Sequence, residues 1–131
     1  MRLLLDTHIW LWSRVEPDRL SAQVARRLRD PATELWLSPI SLWEAMLLIE
    51  RERIEVSGSP AGWIRNALAT GPLRDAPLNR EVALTSRSIE GIDGDPADRF
   101  IAASAIVHEL TLVTADRRLI ESKQYRVLTN N

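Results

Sequence analysis

The sequence of 131 residues contains no cysteine, and Lys123 is the only lysine among its 17 basic residues. Without cysteine no disulfide can stabilise the fold, which fits a reducing cytoplasm. A chain of this length can bury enough apolar surface to fold without cross-links, and we expect one domain over residues 1–131. The net charge of −1 gives no basic footprint from which nucleic-acid binding could be argued.

Long apolar runs are also missing. The N-terminal run Leu3–Leu5 ends at Asp6, and residues 45–49 form a short apolar stretch flanked by charges. Both are far too short for a signal peptide or a membrane span. We therefore expect a soluble cytoplasmic protein without a membrane association.

Strand and helix patterns alternate along the chain. Continuous apolar runs such as Leu3–Leu5 predict buried strands, and a capping residue before proline, at Ser38-Pro39 and Asp95-Pro96, predicts helix starts. The alternation predicts an α/β sandwich around a mostly parallel sheet of four to five strands. The predicted strands are 3–5, 34–37, 73–78, 110–114 and 125–128, and the predicted helices are 8–14, 20–28, 39–52, 61–69, 80–88, 97–108 and 116–122.

Two acids follow predicted strands directly. Asp6 comes after the first strand, and Asp116 comes just past strand 110–114, with Thr114 two residues before it. The carboxyl ends of parallel strands meet at one edge of a sheet, which is where ligands bind in such folds. Each acid could instead cap the helix that follows it, and both interpretations remain open.

Glu44 is the only ionisable residue in a helical stretch that is apolar almost all round, which predicts that it is buried. Buried carboxylates are usually paired or bound to metal. An ion pair with an arginine is the alternative. A capping box with Ser41 is disfavoured, because Ser38-Pro39 begins the helix one turn earlier.

Asp95 and Asp98 open the next long helix. Asp95 at the cap and Asp98 in the first turn are both favoured by the helix dipole, so the local sequence does not separate capping from catalysis. Asp98 is the better candidate for a site, because Asp95 is already accounted for as the cap. Asp95 remains a possible outer member.

The four candidate acids indicate a metal site more strongly together than any one of them does alone. If they meet within about 5 Å, each pair repels by roughly 3 kcal/mol, so the cluster needs cations or protons. Oxygen ligands favour Mg²⁺ or Mn²⁺, and the two histidines form no spaced set with cysteine for zinc. The chemistry indicated is metal-assisted hydrolysis of a phosphodiester.

Four segments at these spacings resemble PIN domains, and among them the VapC toxins of toxin–antitoxin pairs. They are LLLDTHIWLW at 3–12, SPISLWE at 38–44, DPADRFIAA at 95–103 and LVTAD at 112–116. The resemblance covers essentially the whole chain. It implies a three-layer α/β/α fold and an Mg²⁺- or Mn²⁺-dependent endoribonuclease that forms a homodimer and is inhibited by a VapB-type antitoxin. Such antitoxins often place a basic side chain in the acidic pocket.

The resemblance also implies the residues of the site. The acidic quartet that binds metal and performs catalysis would be Asp6, Glu44, Asp98 and Asp116. Supporting residues would be Thr114, the hydroxyl that accompanies the last acid, together with Asp95 and Thr7. Many relatives carry a further acid shortly after the fourth, whereas this chain has Arg117 and Arg118.

Arginines beside the acids are candidate contacts for RNA phosphates. They are Arg117, Arg118 and Arg99. The alternative for Arg117 and Arg118 is a solvated helix face, and Arg99 could pair with a neighbouring acid. Among the five tryptophans, we expect one of Trp10 and Trp12 to face inward and the other a partner, and we assign all five to packing and to protein contacts before RNA.

Other functions remain possible on the sequence alone. The acids could cap helices in a non-catalytic interaction domain, or the chain could be another metal-dependent phosphoryl enzyme such as a DNA nuclease or a phosphatase. Against a phosphatase, Thr7 and His8 follow Asp6 where an Asp-x-Asp motif would be expected. For a toxin, tRNA or rRNA is a plausible substrate, and larger toxin–antitoxin assemblies are possible.

Overall fold

Five short parallel strands form the central sheet of the computed structural model, which describes residues 1–131. In chain order they are β1 (Arg2–Leu5), β2 (Glu34–Leu37), β3 (Leu73–Asp75), β4 (Thr111–Thr114) and β5 (Val127–Thr129). Their order across the sheet is β3-β2-β1-β4-β5. The chain therefore winds outward from β1 and then returns to the other side of β1, so that the switch point lies between β1 and β4.

Seven α-helices cover the sheet. They are α1 (Thr7–Val15), α2 (Ala22–Arg29), α3 (Pro39–Glu50), α4 (Pro60–Ala69), α5 (Arg80–Ser86), α6 (Pro96–Val107) and α7 (Arg117–Glu121), with a 3₁₀ turn at Pro17–Arg19 before α2. The two predicted helix starts are confirmed. Ser38 Oγ accepts a hydrogen bond from Ile40 N, and Asp95 accepts from Ala97 N and Asp98 N.

Two apolar cores lie on opposite faces of the sheet. Leu3 and Leu5 of β1 pack into one core with α1 and α4, whereas Leu4 packs into the other with Ile101 of α6. This alternation follows from the two-residue period of a strand. The predicted α/β/α sandwich is confirmed, and its sheet is entirely parallel.

Several element bounds differ from the predicted ones. Helix α2 begins at Ala22, later than predicted, because Ser21 Oγ accepts from Val24 N and caps it. Strand β3 ends at Asp75, two residues before Pro77, which has no N–H to donate. No helix in the structure is long and apolar enough to cross a membrane.

Candidate active site

The carboxyl ends of β1 and β4 lie side by side, because Leu5 pairs with Val113 in parallel register. Asp6 follows β1 and is 6% exposed. Its Oδ2 accepts a 2.7 Å hydrogen bond from Thr114 Oγ1 at the end of β4, and its Oδ1 accepts a 2.8 Å bond from Thr7 N. Asp6 is therefore both the cap of α1 and a carboxylate fixed at the switch point of the sheet.

A pocket of about 340 Å³ opens at this switch point. It collects acids from four different elements, and we call it the acidic pocket. Its lining consists of Asp6, His8, Trp12, Glu44, Asp95, Asp98, Ala115, Asp116 and Arg118. The structure thus brings all four predicted acids together, with Asp95 beside them. A wider depression of about 640 Å³ along the 87–96 loop shares only Asp95 with this acidic set.

Three carboxylates of the acidic pocket approach one another closely. Three carboxylate oxygens, one each from Glu44, Asp95 and Asp98, lie within 4.8 Å of one another. Glu44 is contributed by α3, and the other two by the start of α6. This donor set consists of oxygen alone, which fits Mg²⁺ or Mn²⁺ and does not fit a softer metal.

Burial raises the pKa of the carboxyls at this end of the acidic pocket. The pKa of Asp98 rises to about 8, mainly through burial and then through the negative charges of Asp6, Asp95 and Glu44. Burial also raises the pKa of Asp6 and that of Glu44. Without a bound divalent cation these three carboxyls therefore hold a proton more tightly than an ordinary carboxyl does.

Asp116 lies in a different environment. It caps α7, and its Oδ2 receives a 2.8 Å hydrogen bond from Arg118 Nη2. Hydrogen bonds from the Arg118 side chain lower the pKa of Asp116. The same Nη2 lies 2.6 Å from Asp98 Oδ2, so that one guanidinium bridges the two acids.

The predicted arginines occupy three different positions. Arg118 enters the acidic pocket, whereas the exposed Arg117 lies 3.9 Å from Glu121 on the solvated face of α7. The suggested pairing of Arg99 with a neighbouring acid is wrong. Its guanidinium donates instead to three backbone carbonyls, those of Ser86, Arg87 and Ile92, which ties α6 to the end of α5.

Glu44 of helix α3 is less buried than the sequence predicted. Ser41 and Ala45 are its buried residues, while Trp43 is 55% exposed and Glu44 is partly buried. The predicted burial of Glu44 is therefore only partial, because one side of α3 packs against the fold and Trp43 faces solvent on the other. Ser41 does not cap the helix, since its hydroxyl accepts a 2.9 Å bond from Thr7 Oγ1.

His8 and Trp12 were not among the predicted site residues. Both line the acidic pocket, whereas Trp10 is 1% exposed in the core. Their spacing of four residues places them on one face of α1 directly after Asp6, which could have indicated the arrangement.

Comparisons with known proteins agree with this fold and pocket. The PIN domain family matches residues 3–123. Ribonuclease VapC22 of Mycobacterium tuberculosis (strain ATCC 25618 / H37Rv) is 36% identical over 128 residues, which cover 97% of this chain and 96% of that protein.

Solved structures show the same fold at lower identity. VapBC2 of Rickettsia felis, bound to a DNA fragment from its promoter, has a TM-score of 0.74 with 17% identity and complete coverage of both chains. A toxin–antitoxin complex from Klebsiella pneumoniae has a TM-score of 0.67 with 20% identity, over 97% of this chain and 96% of that one. Together with the family match and the 36% identity, these observations show that the chain belongs to the PIN-domain family and to its VapC-type members.

Proposed function

We propose that this chain is a divalent-metal-dependent endoribonuclease and the toxin of a type II toxin–antitoxin pair. The observation that carries the proposal is the acidic pocket at the switch point of the sheet, where five carboxylates meet and three of them have a raised pKa. The relative at 36% identity is named a ribonuclease, and the match covers 97% of this chain and 96% of that protein, which supports RNA as the substrate. We propose that residues 1–131 form one PIN domain that acts in the cytoplasm.

Glu44, Asp95 and Asp98, with Asp6 beside them, would hold the ion. A bound Mg²⁺ or Mn²⁺ supplies Lewis-acid activation of water and of the phosphate. Asp95 joins this set although it also caps α6, because the side chain that accepts from Ala97 N also lies in the carboxylate cluster. Capping and ligation are thus compatible at this position.

Asp6 contributes orientation. Both of its oxygens are engaged by hydrogen bonds from β4 and α1, so the carboxylate cannot rotate without losing one of them. Thr114 and Thr7 are therefore positioning residues, and Thr7 also joins α1 to α3 through Ser41 near Glu44. Such preorganisation avoids a cost of reorientation during the reaction.

Arg118 reduces the negative charge that an RNA phosphate meets on entry. Its guanidinium neutralises Asp116 and part of Asp98, and its side chain is 44% exposed. Arg118 can thus remain a phosphate contact if it leaves one acid for the substrate. Arg117 is exposed and can take the same role. Arg99 would first have to break its hydrogen bonds to three backbone carbonyls.

We propose a VapB-type antitoxin as the protein partner, because structural neighbours of the chain are VapBC and toxin–antitoxin complexes. A basic side chain of the antitoxin could enter the acidic pocket, where Arg118 already shows that a guanidinium fits. The partly exposed apolar side of α3 around Trp43 supports a homodimer or a larger assembly with antitoxin.

RNA cleavage by the purified, antitoxin-free chain tests the proposal. Total RNA, tRNA and rRNA fragments are incubated with Mg²⁺, Mn²⁺ or EDTA, beside Asp6→Asn and a control, Asp75→Asn. Asp75 is an exposed carboxylate outside the acidic pocket. We expect cleavage that requires the metal, disappears in Asp6→Asn and persists in Asp75→Asn.

Two results would contradict it. If all RNAs remain intact and calorimetry finds no divalent-ion binding, the acids only cap helices and the chain is an interaction domain. If single-stranded DNA, tested as a further substrate under the same conditions, is cut and RNA is spared, the chain is a nuclease of different specificity.

A further inference from the structure

One rim of the acidic pocket is aromatic. His8 and Trp12 line it from successive turns of α1, with ring centroids 5.8 Å apart. Trp12 is only partly buried, although its inner side packs against the core. Helix α1 therefore presents an indole at the wall of a pocket that is otherwise made mainly of carboxylates.

Arg19 lies over this indole. Its Cζ is 4.3 Å from the centroid of the Trp12 ring, which is within the range of a cation–π contact. Its side chain is 56% exposed, and its acidic partner Glu16 lies at 3.7 Å and is similarly exposed. Such an exposed pair is weak, so the guanidinium is held by the ring and can still bind a phosphate.

Hydrogen bonds connect the backbone around Arg19 to the residue that follows the carboxyl end of β5, the end of the sheet at which the acids lie. Asn130, just after β5, donates through Nδ2 to Arg19 O at 3.1 Å and accepts through Oδ1 from Ser21 N at 2.6 Å. Arg19 N also donates to Glu16 O at 3.0 Å. These bonds fix the 3₁₀ turn, and with it Arg19, relative to the carboxyl ends of the strands.

The negative charge of the acidic pocket favours such a cation for an RNA substrate. Five carboxylates line the pocket, and Arg118 is engaged by two of them. An RNA strand carries one phosphate per nucleotide, so the phosphates beside the cut also need positive contacts. Arginine binds phosphate through paired hydrogen bonds, and an aromatic ring beside it offers apolar surface to the adjoining sugar or base.

We propose that Trp12 and Arg19 form a nucleotide-binding subsite, in which Arg19 binds a phosphate next to the one that is cut and Trp12 packs against the adjoining sugar or base. This inference rests on the proposed ribonuclease function and adds a substrate contact to it. Because Arg19 lies over the indole and the inner side of Trp12 packs against the core, Trp12 offers its remaining exposed edge to the RNA. Such an apolar edge contact selects no base, so the subsite serves single-stranded RNA of any sequence.

Fluorescence anisotropy with a labelled single-stranded RNA of about 12 nucleotides, a length in the range of known single-strand sites, tests the subsite in EDTA over a series of salt concentrations. We expect Arg19→Gln to weaken binding roughly three- to tenfold at low salt and to reduce the slope of log K against log salt by about 0.7. Arg19→Lys retains the slope. The matched control is Arg126→Gln. Arg126 is exposed and lies just before β5, at the amino ends of the strands and away from the acids.

Trp12 requires a conservative pair of variants, since it also contacts the core. Trp12→Leu is expected to lose roughly two- to fivefold in RNA affinity because it removes the ring that holds Arg19, whereas Trp12→Phe retains most of the affinity. Thermal unfolding of every variant verifies the fold. A merely structural role for Trp12 and Arg19 would lower the melting temperature without changing the salt slope.

The outcomes separate this inference from the proposed function. Unchanged affinity and slope in Arg19→Gln would overturn the subsite even if the wild-type chain cleaves RNA. Weakened RNA binding in Arg19→Gln but not in Arg126→Gln would support the subsite even if no cleavage is found. If Arg19→Gln spares RNA binding and releases the cognate antitoxin from a tagged chain, the surface serves the antitoxin and the inference is wrong.

Discussion

The two ends of the acidic pocket differ in how they manage negative charge. At the α3–α6 end, Glu44, Asp95 and Asp98 lie within 4.8 Å of one another, and burial raises the pKa of Glu44 and of Asp98. At the α7 end, Asp116 is more exposed, caps a helix and receives Arg118, so that its pKa is lowered. Carboxylates that the sequence predicts equally well as site residues thus have pKa values shifted in opposite directions.

This difference indicates where a divalent cation is most needed. At the α7 end, hydrogen bonds and an arginine already stabilise the carboxylate, and a second cation would have to compete with them. At the α3–α6 end, negative charges accumulate with only partial compensation, because Arg118 reaches Asp98 but neither Glu44 nor Asp95. We therefore expect metal binding to depend much more strongly on the α3–α6 end.

The largest expected effect comes from a matched pair of substitutions. Asp98→Asn should lower Mn²⁺ affinity by roughly 100-fold or more, because it removes a proposed ligand. Loss of a residue that only supports a ligand already costs about 10- to 100-fold. Asp116→Asn should lower the affinity roughly tenfold or less, since Arg118 already neutralises that carboxylate. Isothermal titration calorimetry of both variants gives the comparison, and equal losses would show that the two ends share the ion.

The stability of the metal-free protein should fall as the pH rises, because of the raised pKa of Asp98. The pKa of Asp98 is raised from 3.8 to about 8 by folding, so the folded state holds a proton that the unfolded state has released between these values. Stability from this group is therefore present below about pH 4 and is lost as the pH rises toward 8. Asp116 has the opposite sign, because its lowered pKa gives stability that is lost in acid.

Urea unfolding in EDTA at several pH values between 5 and 9 measures this loss. Comparison with Asp98→Asn isolates the group, since asparagine cannot ionise and the variant should lose less stability toward alkaline pH. Added Mn²⁺ should restore the wild-type protein at pH 8 and leave the variant nearly unchanged. Identical pH profiles for the two proteins would contradict a raised pKa at Asp98.

The sequence predicted the members of the acidic pocket better than its electrostatics. Asp6 and Asp116 follow apolar strands, and their meeting at one sheet edge follows from parallel topology. The bridging position of Arg118 could not be predicted, because it depends on how α7 packs against the start of α6. The same holds for Arg99, whose carbonyl partners come from α5 and the loop after it. The local pattern also overestimated the burial of Glu44, because burial depends on which side of α3 a neighbouring element covers.

Substitution of Arg118 should change metal affinity least, and in the opposite direction to the loss of an acid. Arg118→Gln removes the cation at the α7 end and should raise the affinity for Mn²⁺ roughly two- to fivefold, as fits a half-exposed ion pair. Arg117→Gln, one residue away but exposed and paired only with Glu121 at 3.9 Å, should leave the affinity unchanged. Calorimetry at one pH and salt concentration compares the two. A fall in Mn²⁺ affinity in Arg118→Gln would mean that the guanidinium orients Asp98 for the metal, and Arg118 would then belong to the ligand-supporting end of the pocket.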